Sequence, residues 1–441
     1  MDQNYNVILV GIDTLRADHL GIYGYERNTS PAIDALARES LIFQNCFSQA
    51  STTAPSFMSI MTSRYPTYHG VTSVIGGVGR NGRVYAMDEK VPTLAQILKQ
   101  NGYSTGAFTD GGNLYDKLGF GKGFDFYSMN LRAEGKKVGL IQENDIFYWL
   151  QEHREKKFFL FLHTFAPHEP WLMPRPYLDL FDKEYKGKIA VTPELVKNLR
   201  LRGLFPREYL LQKADSLGRE DIDYLKAIYD GSIVYVDNFM KNLLLCIKNL
   251  RIDERTIIIF TADHGEEFFD HGMLSHRQLY NELLHVPLIL KTPTLPEPAV
   301  INRLVRSIDI FPTIFNLLQI KIDIPIHGVS LLKTLEKDLE LSTVAESEGQ
   351  GYSIQNKQYK YIYPRYKSYK VRVDELYDIK IDPGEKNNIA LDNLDLVEKM
   401  LSNYNDELHH RVNLKHPMQK VIYLDQFTLS QTYRPKNLKH G

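Results

Sequence analysis

Three segments of the sequence contain residues whose types could act together in one chemical reaction. Asp13 ends an apolar, β-branched run near the start of the chain, and Asp263 with His264 ends a second such run after the middle. Between them, residues 51–58 begin with three hydroxyl side chains and open a helical pattern. Carboxylates and imidazoles bind divalent cations, and a bound cation lowers the pKa of a nearby alcohol. The sequence therefore predicts a metal site that activates a nucleophilic hydroxyl.

Each of these residues also has a purely structural explanation. Asp13 could cap the turn that follows it, and His264 could be a buried side chain with satisfied hydrogen bonds. The hydroxyl of Ser51, Thr52 or Thr53 could serve only as a helix N-cap, which is a common use of these residue types. The coincidence of two acidic strand ends with a hydroxyl-rich helix start favours a metal site over these separate explanations.

Four histidines follow predicted strands and lie in polar loops. His168 is flanked by prolines, and His276 follows His271 five residues later. Histidines in such loops are suited to contact a substrate anion or to protonate a leaving oxygen. We predict this role for His168 and His276. For His163 and His271, a role at the site and a position in a surface loop both stay open.

The apolar runs before Asp13 and Asp263 are typical of parallel strands buried on both faces. Ligands of open α/β sheets bind at the carboxyl edge of such strands, where both carboxylates would emerge. Strand and helix patterns alternate up to about residue 335. The sequence thus predicts an α/β fold with a large, mostly parallel sheet flanked by helices. Residues 172–218 are less regular, which indicates an insertion over the sheet edge and a possible role as a substrate lid.

The pattern changes from about Thr343 onwards. Short strand-like runs, including residues 359–363 and 370–373, are separated by polar turns and predict a small antiparallel sheet. We therefore expect a catalytic α/β domain over residues 1–340 and a small C-terminal subdomain over residues 341–441.

The overall composition excludes several classes of partner. The chain has 441 residues with 53 Lys and Arg against 54 Asp and Glu, so no charge excess indicates nucleic acid or an anionic membrane surface. The first strand-like run begins at Asn6, and no apolar run approaches the ~18–20 residues of a membrane span. We expect a cytoplasmic protein, although a trimmed secretory precursor would have the same features.

Several motifs, in the same order along residues 5–390, resemble those of the sulfatases in the alkaline phosphatase superfamily. They are residues 6–21, 55–56, 61–66, 69–71, 166–168, 261–266, 286–289, 309–313, 375–378 and 382–385. The resemblance implies a sulfatase-like α/β domain with a small C-terminal sheet domain.

The resemblance also implies roles for individual residues. Asp13, Asp263 and His264 match metal-ligand positions of the family. Thr53 falls at the position of the nucleophile, which also contacts the metal. The matches at His168 and His276 imply contacts to the anionic group of the substrate or to the leaving group.

The chain departs from the family pattern at the nucleophile. Sulfatases that use formylglycine form it from Cys or Ser in a motif Cys/Ser-x-Pro-x-Arg, whereas this chain has Thr53 and, at the arginine position, Phe57. No formylglycine is therefore expected. Thr14 stands where many sulfatases have a second aspartate, and His264 where many have asparagine. These differences resemble the phosphodiesterase, phosphonate hydrolase and phosphotransferase branches.

The chemistry of the nucleophile favours phosphorus over sulfur. A formylglycine hydrate can expel sulfate by collapsing to an aldehyde, but a threonine sulfate requires water to attack sulfur. A phosphothreonine can be resolved by in-line attack on phosphorus. The sequence thus predicts hydrolysis of phosphate diesters or phosphonate monoesters through a covalent Thr53 intermediate. Alternatives are a sulfatase that uses Thr53 directly, a phosphotransferase to a sugar or lipid alcohol, and a degenerate binding protein.

The expected cofactor is one divalent metal ion. A mixed oxygen and nitrogen ligand set favours Mn²⁺ or Zn²⁺ and leaves Ca²⁺ or Mg²⁺ as further options. The expected substrate is a small-molecule, glycan or lipid ester, whose organic part we expect residues 172–218 to select. An oligomer is compatible with the sequence.

Overall fold

The computed structural model describes residues 4–72, 83–111, 113–130, 141–169, 171, 173–187, 189, 206–294, 297–337, 339–347, 351–364, 374–410 and 420–423. Within these residues the chain forms one large sheet flanked by helices and a smaller sheet near its C-terminus.

The strands are, in chain order, β1 (Asn6–Ile12), β2 (Leu41–Phe47), β3 (Arg83–Ala86), β4 (Ser104–Asp110), β5 (Phe126–Asn130), β6 (Phe158–Thr164), β7 (Thr256–Ala262), β8 (Glu267–Phe268), β9 (Leu274–Ser275), β10 (His285–Val286), β11 (Leu288–Lys291), β12 (Ala299–Arg306), β13 (Thr343–Ser347), β14 (Gly351–Gln355), β15 (Tyr359–Pro364), β16 (Glu375–Asp378) and β17 (Lys420–Tyr423).

The α-helices are α1 (Pro31–Ala37), α2 (Thr53–Thr62), α3 (Pro66–His69), α4 (Leu94–Gln100), α5 (Glu143–His153), α6 (Arg175–Leu178), α7 (Pro206–Gln212), α8 (Arg219–Asn249), α9 (Asn281–Leu284), α10 (Ile310–Leu317), α11 (Leu331–Glu336) and α12 (Leu394–Asn405). Short 3₁₀ turns lie at Ala17–His19, Gly21–Tyr23, Asp116–Leu118, Ala214–Ser216, Asp253–Arg255, Ser307–Asp309 and Ala390–Asp392, and a π-helical turn lies at Asp406–His410. Among the helices of the described ranges, none has both the length and the apolar character that crossing a membrane requires.

The large sheet is mostly parallel, as predicted. Its strands follow the order β10-β2-β11-β7-β1-β6-β4-β5, and β12 also pairs with β2. Pairing is parallel along β7-β1-β6-β4-β5 and between β2 and β12, whereas β10 and β11 run antiparallel to their neighbours. Every residue of β1, β6 and β7 is buried, because these central strands are rich in apolar side chains that pack on both faces of the sheet.

Helix α2 packs closely against the centre of this sheet. A Cβ atom at Gly11 in β1 would overlap the ring of Phe57, so the helix needs glycine at this position of the strand. The Phe57 ring also makes edge contacts with Phe161 and His163 of β6, at centroid distances of 5.5 and 5.1 Å. This packing fixes the first turn of α2, which begins at Thr53, above the carboxyl ends of β1 and β6.

A small antiparallel sheet follows near the C-terminus, as predicted, with strand order β13-β14-β15-β16. Helix α12 covers it through Val397 and Met400, which belong to the same apolar cluster as Val344 and Ile354. The predicted strand at residues 370–373 lies outside the described residues. The expected boundary between residues 340 and 341 stays a prediction.

The described parts of the expected insertion at residues 172–218 pack on the long helix α8. Helix α6 approaches so closely that a Cβ atom at Gly231 would overlap the carbonyl oxygen of Tyr177. The rings of Tyr177 and Tyr235 are also in edge contact, at 5.2 Å between centroids. These contacts anchor one end of the insertion to the main domain, and its role as a lid stays a prediction.

A fully buried arginine links the two sheets. Arg306, at the end of β12, forms ion pairs with Asp309 at 2.9 Å and with Glu407 in the π-helical turn after α12. It also donates a hydrogen bond to the Tyr65 hydroxyl at 3.4 Å. The guanidinium therefore bridges two buried carboxylates, one close in sequence and one about a hundred residues further along the chain.

Replacing Arg306 by Met should destabilise the fold by about 3–5 kcal/mol, because the substitution leaves the Asp309 and Glu407 carboxylates without their cation. Urea unfolding followed by circular dichroism measures this change. Arg303→Met is the matched control, since the Arg303 guanidinium donates at the surface to one carbonyl oxygen, that of Lys337. Equal effects of the two substitutions would contradict the importance of the buried ion pairs.

Candidate metal centre and active site

The two predicted acidic strand ends are neighbours in the structure. β1 and β7 pair in parallel with Ile12 opposite Ala262, so the next residues, Asp13 and Asp263, emerge at the same edge of the sheet. The main-chain N–H of Asp13 donates to the carbonyl oxygen of Thr164 at the end of β6 (3.0 Å), which holds the turn in place. Both carboxylates are buried.

His264 completes a cluster in which one ligand atom from each of Asp13, Asp263 and His264 lies within 4.8 Å of the others. The His264 Nε2 atom is 3.4 Å from Asp263 Oδ2 and 3.9 Å from Asp13 Oδ1. Its Nδ1 atom lies 2.9 Å from the carbonyl oxygen of Gly265, which assigns the ring proton to Nδ1. Nε2 consequently presents a lone pair to the two carboxylates, as in a metal-binding imidazole.

The carboxylate oxygens have surroundings that fit a cation. Asp263 Oδ1 accepts hydrogen bonds from the main-chain N–H groups of Thr14 (3.1 Å) and His264 (2.8 Å). Within the described ranges, Asp263 Oδ2 and both Asp13 oxygens are buried and accept no hydrogen bond of good geometry. Burial raises the pKa of each carboxyl to about 7, and the charge of Asp13 adds to the shift at Asp263. A divalent cation would compensate this buried negative charge, and the donor set suits one.

Thr53 is the first residue of α2, and its side chain is buried next to the cluster. The Thr53 Oγ1 atom lies 3.5 Å from His264 Nε2. One turn later, the Ser56 hydroxyl donates to the carbonyl oxygen of Asp263 at 2.7 Å. This hydrogen bond and the packing of Phe57 hold the helix N-terminus over the strand ends. The positive end of the α2 dipole therefore lies where an anionic substrate group would approach.

His168 and His276 extend the site away from the carboxylates. The ring of His276 lies 4.5 Å from that of His264 and 4.9 Å from that of His168, measured between centroids. The His168 ring stacks on Phe165 at 4.1 Å, and its Nδ1 atom lies 2.5 Å from the carbonyl oxygen of Glu169. The structure thus brings the predicted pair together in a row of three imidazoles that begins at His264.

His163, whose role the sequence left open, lies beside the carboxylates. It is the penultimate residue of β6, and its Nε2 atom is 3.6 Å from Asp13 Oδ2. Its Nδ1 atom accepts the main-chain N–H of Asp110 at 3.3 Å, and burial lowers the pKa of the ring to about 4. A neutral imidazole with Nδ1 occupied as an acceptor carries its proton on Nε2, which faces Asp13. His163 is therefore placed to orient Asp13.

His271, the other open case, has different partners. Its ring stacks on Tyr280 at 3.5 Å between centroids, and its Nε2 atom lies 3.4 Å from a carboxylate oxygen of Glu282.

Two further residues at the site, Glu266 and Thr14, were not predicted to be site residues from the sequence. Glu266 is buried, and its Oε1 atom lies 3.6 Å from His276 Nδ1. Thr14 has a left-handed backbone (φ 57°), which is unfavourable for a β-branched residue, and its buried hydroxyl has no hydrogen-bond partner in the described part of the chain. The position of Glu266 directly after Asp-His-Gly was a sequence signal that could have identified it. No sequence signal indicated the left-handed backbone of Thr14.

A family model described as Sulfatase matches residues 5–320. The chain belongs to the sulfatase family. A second model, described as N-sulphoglucosamine sulphohydrolase, C-terminal, matches residues 269–413 of this sulfatase-family chain. The chain is 22% identical to an N-acetylglucosamine-6-O-sulfatase of Bacteroides thetaiotaomicron, over 87% of this chain and 82% of that protein.

Two solved structures share the sulfatase fold with the chain. One, a complex with its substrate D-glucosamine-2-N,6-O-disulfate, has a TM-score of 0.73 at 18% identity and covers 92% of this chain and 98% of its own. The phosphonate monoester hydrolase of Agrobacterium radiobacter has a TM-score of 0.70 at 22% identity and covers 92% of this chain and 96% of its own. At these identities the similarity establishes the fold alone.

Membership in the sulfatase family makes the chain a metal-dependent ester hydrolase of the alkaline phosphatase superfamily, whose members generally bind a divalent metal. The similar proteins include both sulfatases and phosphonate monoester hydrolases. The choice between sulfur and phosphorus esters must therefore be argued from the site.

Metal-free protein should lose stability as the pH rises, because the raised pKa values of Asp13 and Asp263 favour their protonated forms in the folded state. This contribution is fully present below the ordinary aspartate pKa of 3.8 and is lost as the pH rises through about 7. Metal binding requires the ionised carboxylates, so the increase in Tm that metal produces should grow over the same interval.

Scanning calorimetry of chelator-treated and Mn²⁺-loaded protein, from pH about 4 to about 8, measures this growth. The variant Asp13→Asn/Asp263→Asn is the control, and its metal-induced increase in Tm should grow much less over this interval. A metal-induced increase in Tm that is the same at every pH would contradict the assignment of these two carboxylates.

Proposed function

We propose that the protein hydrolyses phosphate diesters or phosphonate monoesters through a covalent intermediate on Thr53. The observation that carries the proposal is the position of the Thr53 hydroxyl, 3.5 Å from His264 Nε2, beside two buried carboxylates and at the N-terminus of α2. An alcohol nucleophile in this position suits displacement at phosphorus, because the resulting phosphothreonine can be resolved by in-line attack of water.

Asp13, Asp263 and His264 are the residues proposed to hold the metal, with Thr53 as a further contact. A divalent cation in this site, Mn²⁺ or Zn²⁺ for a mixed oxygen and nitrogen donor set, would supply the positive charge that favours the ionised Thr53 hydroxyl. The Nδ1–H of His264 donates to the carbonyl of Gly265, so Nε2 is the nitrogen that would bind the cation.

The remaining residues are proposed to handle the substrate. Thr53 Oγ1 forms a bond to phosphorus as the bond from phosphorus to the leaving oxygen breaks, and His276 donates a proton to that oxygen. His168 contacts the anionic oxygens. In the second half of the reaction water attacks phosphorus, His276 takes up a proton, and the bond from phosphorus to Thr53 breaks. His163 orients Asp13, and Glu266 orients His276.

A sulfatase that uses Thr53 directly is the second candidate. It is favoured by the N-acetylglucosamine-6-O-sulfatase that matches 87% of the chain. In that case the substrate would be a sulfated glycan, and release of sulfate from Thr53 would require water to attack sulfur.

Esters that share one leaving group separate the two candidates. Initial rates with bis(4-nitrophenyl) phosphate, 4-nitrophenyl phenylphosphonate, 4-nitrophenyl phosphate and 4-nitrophenyl sulfate are measured on Mn²⁺-loaded and Zn²⁺-loaded protein. We expect kcat/KM for the diester or the phosphonate to exceed that for the sulfate by at least about tenfold. A preference for the sulfate would replace the proposal by the second candidate.

Replacing Thr53 by Ala should reduce kcat by at least about 10³-fold, because it removes the attacking oxygen. Acid quenching followed by peptide mass spectrometry should detect phosphothreonine at position 53 in the unmodified protein only. Thr52→Ala is the matched control, since its neighbouring hydroxyl makes no capping hydrogen bond to α2. Turnover by Thr53→Ala at the unmodified rate would rule out the covalent mechanism.

Replacing His276 by Gln should affect poor leaving groups most, because these depend on protonation of the departing oxygen. We expect a loss of about 10²–10⁴-fold in kcat/KM for an alkyl ester and a much smaller loss for the 4-nitrophenyl ester. The slope of log kcat/KM against leaving-group pKa measures the difference. His153→Gln, a histidine that stacks on Trp149 in α5, should leave the slope unchanged. An equal loss for both esters would assign His276 to another role.

A further inference from the structure

We propose that His271, Glu282 and Glu385 form a second divalent-cation site, separate from the cluster around Asp13. The site would join the segment after β16 to the β8–β9 hairpin. This inference goes beyond the proposed function and does not depend on it.

Three segments supply the ligand atoms, two of them close in sequence and the third about a hundred residues further along the chain. His271 lies in the loop between β8 and β9, Glu282 in α9, and Glu385 in the turn after β16. One ligand atom from each residue lies within 4.8 Å of the other two. His271 Nε2 and Glu282 Oε1 are 3.4 Å apart, which is the spacing of two ligands on a tetrahedral ion with bonds of about 2.1 Å.

The imidazole of His271 is held in place but lacks a hydrogen bond at the nitrogen that faces the carboxylates. Its side chain is 9% exposed, and its Nε2 atom has no hydrogen-bond partner of good geometry among the residues that the structure describes. Stacking on Tyr280 fixes the plane of the ring. Glu282 Oε2 is likewise buried without a hydrogen bond in the same part of the chain. Buried polar atoms normally find partners, so this arrangement indicates a missing one.

The charged groups around the cluster are compatible with an additional cation. The Lys360 ammonium is fully buried, 2.7 Å from Glu385 Oε1 and 2.8 Å from Asn281 Oδ1. Glu385 Oε2 accepts the main-chain N–H of Asn281 at 2.6 Å. Lys360 thus pairs with Glu385, whereas the ion-pair partner of the Glu282 carboxylate in the described part of the chain is the His271 imidazole.

Other charged groups nearby already have partners. Glu375 accepts hydrogen bonds from the hydroxyls of Tyr280 and Tyr377, at 2.8 and 2.9 Å. Asp270 forms an ion pair with Arg16 at 3.1 Å. Glu267 accepts hydrogen bonds from the Gln278 side-chain amide at 2.8 Å and from the main-chain N–H of His271 at 3.0 Å. These neighbouring carboxylates therefore have hydrogen-bond partners, whereas Glu282 Oε2 has none of good geometry among the described residues.

The donor types favour a borderline ion such as Zn²⁺. One imidazole nitrogen and two carboxylate oxygens provide three protein ligands, and water would complete a tetrahedron. Ca²⁺ prefers six to eight oxygen ligands and suits this set less well. The loop that contributes His271 also leads through β9 to His276, so an ion here would stiffen the hairpin that presents this histidine.

Counting zinc in purified variants tests the proposal. Chelator-treated protein is reloaded with Zn²⁺, desalted and measured by elemental analysis and native mass spectrometry. We expect two zinc ions per chain in the unmodified protein, one in His271→Ala or Glu282→Gln, and one in Asp13→Asn/Asp263→Asn. Combining His271→Ala with the two aspartate substitutions should remove both ions.

Glu375→Gln is the matched control, because this neighbouring carboxylate is bound by two tyrosines and should not affect the count. Glu282→Gln preserves the side-chain shape, so it gives a result even if His271→Ala fails to fold. A single zinc in the unmodified protein, lost with Asp13→Asn/Asp263→Asn, would overturn the proposal. Retention of two ions in Glu282→Gln and His271→Ala would overturn it as well. A single zinc that is retained in Asp13→Asn/Asp263→Asn and lost in His271→Ala would count against the proposed function and would support this second site.

Discussion

The structure depends on the placement of two buried carboxylates at adjacent strand ends. β1 and β7 pair in parallel with Ile12 opposite Ala262, so Asp13 and Asp263 must emerge together. Two negative charges in a buried position are unfavourable unless they are protonated or face a cation. The register of this strand pair therefore places two buried negative charges together, and this is the physical reason for proposing a cation at this edge of the sheet.

Groups from several other elements lie around these two carboxylates. The N-terminus of α2 directs its dipole toward the carboxylates, and the Ser56 hydrogen bond to the carbonyl of Asp263 fixes the distance. His163 approaches Asp13 from β6, while His264 directs Nε2 toward the carboxylates because its Nδ1–H donates to the carbonyl of Gly265. Each contact comes from a different strand or helix, so the site forms only when the central sheet is assembled.

The sequence predicted the parts of this arrangement that are encoded locally. The apolar runs that end in Asp13 and Asp263 predict strands from local sequence alone. The alternation of strand and helix patterns predicts the mostly parallel sheet. The sequence placed both His163 and His271 in loops after strands, whereas His163 lies within β6 beside β1 and His271 lies in the β8–β9 turn, a difference that depends on strand pairing. The contact between His271 and Glu282 depends on tertiary packing, which spacing along the chain does not encode.

The packing of Phe57 has a consequence for how this enzyme could change during evolution. Phe57 occupies the position that carries arginine in formylglycine-type sulfatases, and here its ring fits against Gly11, Phe161 and His163. A Thr53→Cys change alone would supply a convertible residue without the arginine of the motif. Gaining that arginine would remove the ring by which α2 rests on the sheet. Acquiring the formylglycine motif would therefore require a change in core packing at Phe57 as well as a change at Thr53, so no single substitution creates it.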